Sequence, residues 1–150
     1  MNLFRGGVLL LGVSGIVIAA GPMELPVQLS VSRGWEPQGA YCRLYNVKSV
    51  VTVQGTVKRV EKIVPMKGMG YGIHMILKTQ SETIPVHLGP TWYVEKQRVQ
   101  FESGDVVEVT GSRVYCDGKP IILAANIKKD DLTATYREPS GLPAWAGWKR

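Results

Sequence analysis

The chain contains only two histidines, His74 and His87, and each lies in a short stretch that alternates like a β-strand. A turn centred on Gln80-Ser81 would join the two stretches as a hairpin and place His74 directly opposite His87, with Cβ atoms about 5 Å apart. Two imidazoles at this spacing could share a metal ion, receive iron from a partner, or contact a partner's haem. The alternative is a polar cross-strand pair beneath the preceding segment of the chain.

The same register separates an apolar face of the hairpin from a polar one. The apolar face, which predicts the core, carries Ile73, Met75, Leu77, Ile84, Val86 and Leu88. The opposite face carries His74, Ile76, Lys78, Thr83, Pro85 and His87. Because a core histidine would fall on the apolar face, we expect both imidazoles on the outside of the sheet, where they face a ligand or a partner surface.

Two methionines, Met66 and Met69, lie in the glycine-rich stretch just before the hairpin. Thioether sulfur combined with imidazole suits Cu(I), so these residues predict an alternative function as a periplasmic copper carrier. The methionine nearest to His74 in sequence, Met75, points inward by the alternation. The stretch is also compatible with an ordinary flexible loop.

The first 21 residues have the layout of a secretory signal peptide, with Arg5 followed by an uncharged apolar run and then small residues. The uncharged run, residues 6–23, is also at the lower limit of what spans a bilayer, so an uncleaved membrane anchor is the alternative. Either interpretation predicts export to the periplasm or to the outer side of a membrane.

Export changes the expectation for Cys42 and Cys116, the only two cysteines. An even number in an oxidising compartment predicts a disulfide, which would add about 4 kcal/mol on chain-entropy grounds. Two free, partly buried thiols are the alternative. The chain has no CxxC or CxxCH motif, so it carries neither a thioredoxin-type redox site nor a covalently attached c-type haem.

An irregular arm, residues 22–46, precedes the strands and the helix that must position these residues. The pattern then predicts three strands, a short helix that starts near Pro90, and two strands joined at Asp117-Gly118. This order is that of an OB-fold, a five-stranded Greek-key barrel, over residues 47–130, with a tail at 131–150. We expect Trp92 to insert into the core and Gly55 to mark a bulge or a sharp coil of the strand.

Sequence motifs add a resemblance to this pattern. The runs "VQGTV", "VHLGPTWY" and "GDVVEVTGSRV", with the closing "GLPAWAGW", resemble the bacterial OB-fold (BOF-like) family of small exported envelope proteins. The resemblance covers roughly residues 45–148 and implies the OB-fold. It implies no catalytic residues, because that family has no agreed ones. The arm lies outside the part of the chain that shows the resemblance.

The net charge and the aromatic content indicate which classes of partner the protein could bind. A net charge of +6 suits nucleic acid, anionic lipid or an acidic protein. Single-stranded nucleic acid is usually bound by basic residues interleaved with several aromatic rings on which the bases stack. Near the predicted binding face, Tyr71 is the only aromatic residue among the basic ones, so this sequence gives weak support to that function. Those basic residues are Lys58, Arg59, Lys62, Lys67 and Lys78.

No motif indicates catalysis. Asp105 and Asp117 fall in turns, Ser112 has no histidine beside it in the pattern, and the chain shows no phosphate loop. The tail tryptophans, Trp145 and Trp148, either dock on the barrel or anchor a partner.

The sequence therefore predicts a non-catalytic, exported OB-fold module that binds another envelope protein or a multi-subunit complex. Trp145, Trp148, Tyr71 and Lys78 are its candidate partner contacts.

Overall fold

The computed structural model describes residues 32–147. The predicted signal or anchor segment, the first ten residues of the arm (22–31), and Trp148 lie outside these residues. Within residues 32–147, no helix is long and apolar enough to cross a membrane.

The fold is all-β and has the OB-fold arrangement that the sequence predicts. Two short 3-10 helices, Cys42–Leu44 and Val47–Ser49, precede the barrel. The strands are β1 (Val50–Ile63), β2 (Gly72–Lys78), β3 (Thr83–Pro90), β4 (Val106–Cys116), β5 (Lys119–Lys129) and β6 (Leu132–Thr135). One short helix, α1 (Thr91–Val94), separates β3 from β4. The sixth strand lies in the segment predicted as tail.

The strands close into a ring. The order along the sheet is β3-β2-β1-β4-β5-β6, and β3 also pairs in parallel with β5 through Val86 and His87. The long first strand pairs with β4 through its first half and with β2 through its second half. The additional strand, β6, pairs with the end of β5.

The β2–β3 hairpin has the predicted register. His74 pairs with His87, Met75 with Val86 and Leu77 with Ile84. All six residues of the predicted apolar face are buried in the core. The register shifts by one residue beyond His74, so that Ile73 pairs with Gly89.

Two local predictions are only partly correct. The bulge in β1 lies between Val57 and Arg59 instead of at Gly55. A Cβ at Gly55 would lie 2.6 Å from the Lys78 carbonyl oxygen, so glycine is needed there for close approach of the backbone. In α1, Tyr93 and Val94 are the buried residues, whereas Trp92 is half-buried and packs against the edge of the core.

A second packed layer covers the outside of β3 and β5. It is formed by Trp35 and Tyr41 from the arm and by Arg137 and Trp145 from the tail, all of them buried. Gly72 and Gly89 make room for it, because a Cβ at either position would lie within 3 Å of the ring of Trp35 or Trp145. The layer therefore depends on small residues at the start of β2 and the end of β3.

Candidate functional site

An open cavity of about 260 Å³ lies on the outer face of β1, β2 and β3, bordered by the β1–β2 loop and the β4–β5 hairpin. This is the face that OB-folds use to bind ligands. Its polar lining consists of Glu61, His74, His87, Cys116, Asp117 and Lys119. Its apolar lining consists of Ile63, Pro65, Ile76, Pro85 and Ile121.

Strand pairing brings three of the polar residues into one row. Glu61 on β1 pairs with His74 on β2, and His74 pairs with His87 on β3. Directly opposed residues in antiparallel strands project from the same face, so the row follows from the two registers. The Glu61 carboxylate accepts a hydrogen bond of 2.8 Å from Arg59 Nε.

The β4–β5 hairpin brings Cys116 to the same cavity. Its two-residue turn has positive φ at both Asp117 and Gly118, the conformation that the Asp-Gly sequence favours. Cys116 and Lys119 consequently face each other across the turn.

The histidines lie on the outer face as predicted, but they are not exposed. His74 is 2% exposed and His87 is 4% exposed. Their rings stack with centroids 3.5 Å apart and planes inclined by 16°. Tyr41 of the arm packs on the ring of His87, and its hydroxyl lies 2.8 Å from His87 Nδ1. The prediction of surface imidazoles is therefore wrong.

Burial keeps both imidazoles neutral. Loss of hydration lowers the pKa of His74 to about 4, opposed by the nearby Glu61 carboxylate. The pKa of His87 falls to about 2, mainly through burial and further through repulsion from Arg137 and from the His74 ring when that ring is protonated. One atom of the pair, His74 Nε2, is buried without a hydrogen-bond partner.

The predicted disulfide is not present, since Cys42 and Cys116 are both free thiols. Cys42 is buried in the arm, where its sulfur lies 3.6 Å from the Trp35 carbonyl oxygen and donates to it. Cys116 belongs to the rim of the cavity on the other side of the histidine pair. The two side chains thus have separate environments.

The copper hypothesis requires methionine and histidine to converge, and these residues line different cavities. Met66 and Met69 line a different cavity beneath the arm, together with Gly34, Ala40 and Tyr41. Neither histidine lines that cavity. Both methionines also pack against the hydrophobic core, which is a structural role.

The candidate partner contacts have different environments. Trp145 is buried, and its Nε1 donates a 2.8 Å hydrogen bond to the Trp35 carbonyl, so this tryptophan docks on the barrel. Tyr71 is 57% exposed, and Lys78 is exposed at the end of β2. Trp148 lies outside the described residues.

The barrel has a recognisable family signature. Residues 49–134 match the model of the MamS/MamX magnetosome protein family. The chain belongs to the MamS/MamX family. No curated protein matches the chain. The resemblance to exported OB-fold envelope proteins stays a prediction.

The part of the chain that matches the MamS/MamX family is the barrel itself, from just before β1 into β6. It contains every residue that lines the outer-face cavity. The layer that covers the histidines lies outside the match, because Trp35 and Tyr41 precede residue 49 and Arg137 and Trp145 follow residue 134.

Sequence reasoning missed two residues of this MamS/MamX protein's site region. Tyr41 holds His87, and Arg137 donates a 2.7 Å hydrogen bond to the Ala124 carbonyl while its guanidinium lies over the rings of Tyr45 and Trp145. Arg137 is buried, and it has no ion-pair partner within residues 32–147. Only the aromatic content of the arm and tail could have indicated such a layer.

Proposed function

We propose that this protein is a non-catalytic, exported binding module that serves as an accessory subunit of a protein assembly at the magnetosome membrane. Membership of the MamS/MamX family supports the magnetosome context. The observation that carries the proposal is the open cavity on the outer face of β1, β2 and β3, because it coincides with the face through which OB-folds bind.

The surroundings of the cavity favour a protein partner. Val64 lies between the lining residues Ile63 and Pro65, and Tyr115 precedes Cys116; both Val64 and Tyr115 are exposed. Tyr71, also exposed, ends the same β1–β2 loop. Exposed apolar and aromatic side chains on the segments that border a binding face are typical of protein–protein contacts.

The charge of the cavity argues against nucleic acid as the main partner. Glu61 and Asp117 oppose the single lysine of the lining, Lys119. A groove that follows a phosphate backbone needs net positive charge and several stacking aromatics. Any affinity for single strands should therefore be weak and should collapse between low and physiological salt.

The N-terminal apolar segment supports attachment of the module to a membrane. In the proposal, residues 1–21 direct export and either anchor the barrel or are removed, and the module works on the far side of that membrane. Its binding function needs no reaction chemistry from the chain.

Site-specific photo-crosslinking tests the proposal. A photoreactive phenylalanine replaces Ile76 or Lys119, which both line the cavity, or Leu132 on β6, in the full-length protein, and intact magnetosome membranes are irradiated. We expect the same discrete protein adduct from the first two positions and none from Leu132, which is exposed and hydrophobic but does not line the cavity. Equal labelling from all three positions, or none from any, would contradict the proposal.

A further inference from the structure

The cavity contains a combination of donor side chains that a binding face for a protein does not require. Glu61, His74, Cys116 and Asp117 contribute carboxylate, imidazole and thiol groups to one open space of about 260 Å³. Three different chain segments supply them: β1, β2 and the β4–β5 hairpin. Such a mixed N, O and S set suits divalent transition metals of intermediate softness.

His74 carries the second observation. Its Nε2 atom is buried and has no hydrogen-bond partner, although buried imidazole nitrogens are normally satisfied. The ring lines the cavity beside the carboxylate of the residue that pairs with it, Glu61. A metal ion would satisfy a nitrogen that the protein leaves without a partner.

We propose that the cavity binds one divalent transition metal ion through His74, Cys116 and Glu61. The ion would be of the Fe(II), Co(II) or Zn(II) class. Asp117, at the tip of the same hairpin as Cys116, supplies a further carboxylate at the rim. The isolated chain supplies all of these donors, so metal binding does not depend on the proposed protein partner.

His87 is excluded from this set by its geometry. Its ring lies parallel to that of His74 at 3.5 Å, so the in-plane lone pairs of the two rings run side by side. A metal about 2.0–2.1 Å from one nitrogen and in the plane of its ring would lie well out of the plane of the other ring. His87 Nδ1 is moreover bonded to Tyr41, so His87 positions His74 by stacking.

Binding requires a small rearrangement of side chains. Within residues 32–147, no three His, Cys, Asp or Glu side chains already converge on one point. Glu61 and Cys116 are only partly buried, and Glu61 is held by the exposed Arg59, so both can turn toward His74. The imidazole is neutral and needs to lose no proton, whereas Cys116 would release its thiol proton on binding.

Cobalt titration of the full-length protein in detergent, under reducing and oxygen-free conditions, tests the inference. We expect one Co²⁺ per chain and a sulfur-to-cobalt charge-transfer band. Cys116→Ser should remove that band, while Cys42→Ser should keep it because Cys42 does not line the cavity. Glu61→Gln should weaken binding by more than the roughly 10–100-fold typical of losing an outer-sphere contact.

Glu108→Gln is the matched control for Glu61→Gln. Both carboxylates lie on strands, both pair with a basic side chain, and their side chains are 34% and 36% exposed. His74→Gln should abolish binding, and if it unfolds the barrel the Glu61 and Cys116 variants still decide. Absence of saturable binding, a missing charge-transfer band, or equal weakening by Glu61→Gln and Glu108→Gln would overturn the proposal.

Discussion

The imidazole rings of His74 and His87 lie face to face, with centroids 3.5 Å apart, and both are almost completely buried. Two stacked imidazoles cannot both be protonated, because two positive charges at this distance would repel each other strongly, and burial disfavours the charged form of each ring. The stacked pair therefore contributes to the stability of the protein and also forms part of the wall of the cavity. It links the barrel to the arm through Tyr41.

The hydrogen bond between Tyr41 and His87 is expected to stabilise the fold. Tyr41→Phe and His87→Gln should each lower the free energy of unfolding by about 1–3 kcal/mol, because each leaves a buried polar atom without its partner. Urea denaturation of the two variants and of the double variant gives the coupling between them, which should be about 0.5–3 kcal/mol. Tyr71→Phe, at an exposed tyrosine, is the control and should add independently to His87→Gln. A coupling energy of zero would contradict the observed contact.

The neutral histidines predict a dependence of stability on pH. Their pKa values fall from the ordinary 6.5 of an exposed histidine to about 4 for His74 and about 2 for His87 in the folded state, so the unfolded chain binds more protons below pH 6.5. Stability is therefore greatest above pH 6.5 and decreases as the pH falls, by up to about 1.4 kcal/mol per pH unit for each histidine.

Urea denaturation between pH 7.5 and pH 5 measures this dependence, in a range where carboxylates remain largely ionised. His74→Gln should give a shallower slope than the wild type. Parallel curves for the two proteins would show that His74 is not held neutral by burial.

The sequence was sufficient to predict the barrel because its signals are local. Alternation fixed the two faces of the β2–β3 hairpin, and the Asp117-Gly118 turn fixed the next hairpin. Solvent exposure of the histidines could not be predicted in this way. It depends on the arm and tail packing over the sheet, and these segments have no periodic pattern.

The same limit explains the wrong disulfide prediction. Cysteine count and the expectation of export say nothing about where the two thiols lie in space. Cys42 is buried beside Trp35 and Tyr41 in the layer that packs on the outside of the barrel. Cys116 lies at the cavity, next to the turn of the β4–β5 hairpin. Pairing would have required long-range packing that no sequence motif encodes.

Free thiols lead to a direct prediction. Thiol titration of the unfolded, unreduced protein should find two thiols per chain, since both cysteines are free in the structure. In the folded protein Cys116 should react well before Cys42, because burial raises the pKa of the Cys42 thiol to about 11 and the arm shields it. Cys116→Ser and Cys42→Ser assign the two phases. Finding no thiol in the unfolded chain would restore the disulfide.

Trp145 should be the main anchor of the tail. Its ring packs edge-on against Trp35 with centroids 5.6 Å apart, and Arg137 lies over it at 5.0 Å. Trp145→Ala should lower the free energy of unfolding by about 3–5 kcal/mol, as removal of a large buried ring usually does. Leu142→Ala, in the same segment but exposed, should cost less than about 0.5 kcal/mol.

Limited proteolysis then separates loss of the tail from loss of the barrel. In Trp145→Ala, we expect cleavage within the tail to become rapid while the β1–β5 barrel persists, and His87 to become accessible to chemical modification as the covering layer loosens. A variant with wild-type stability and a protected His87 would show that Trp145 does not hold the layer that buries the histidine pair.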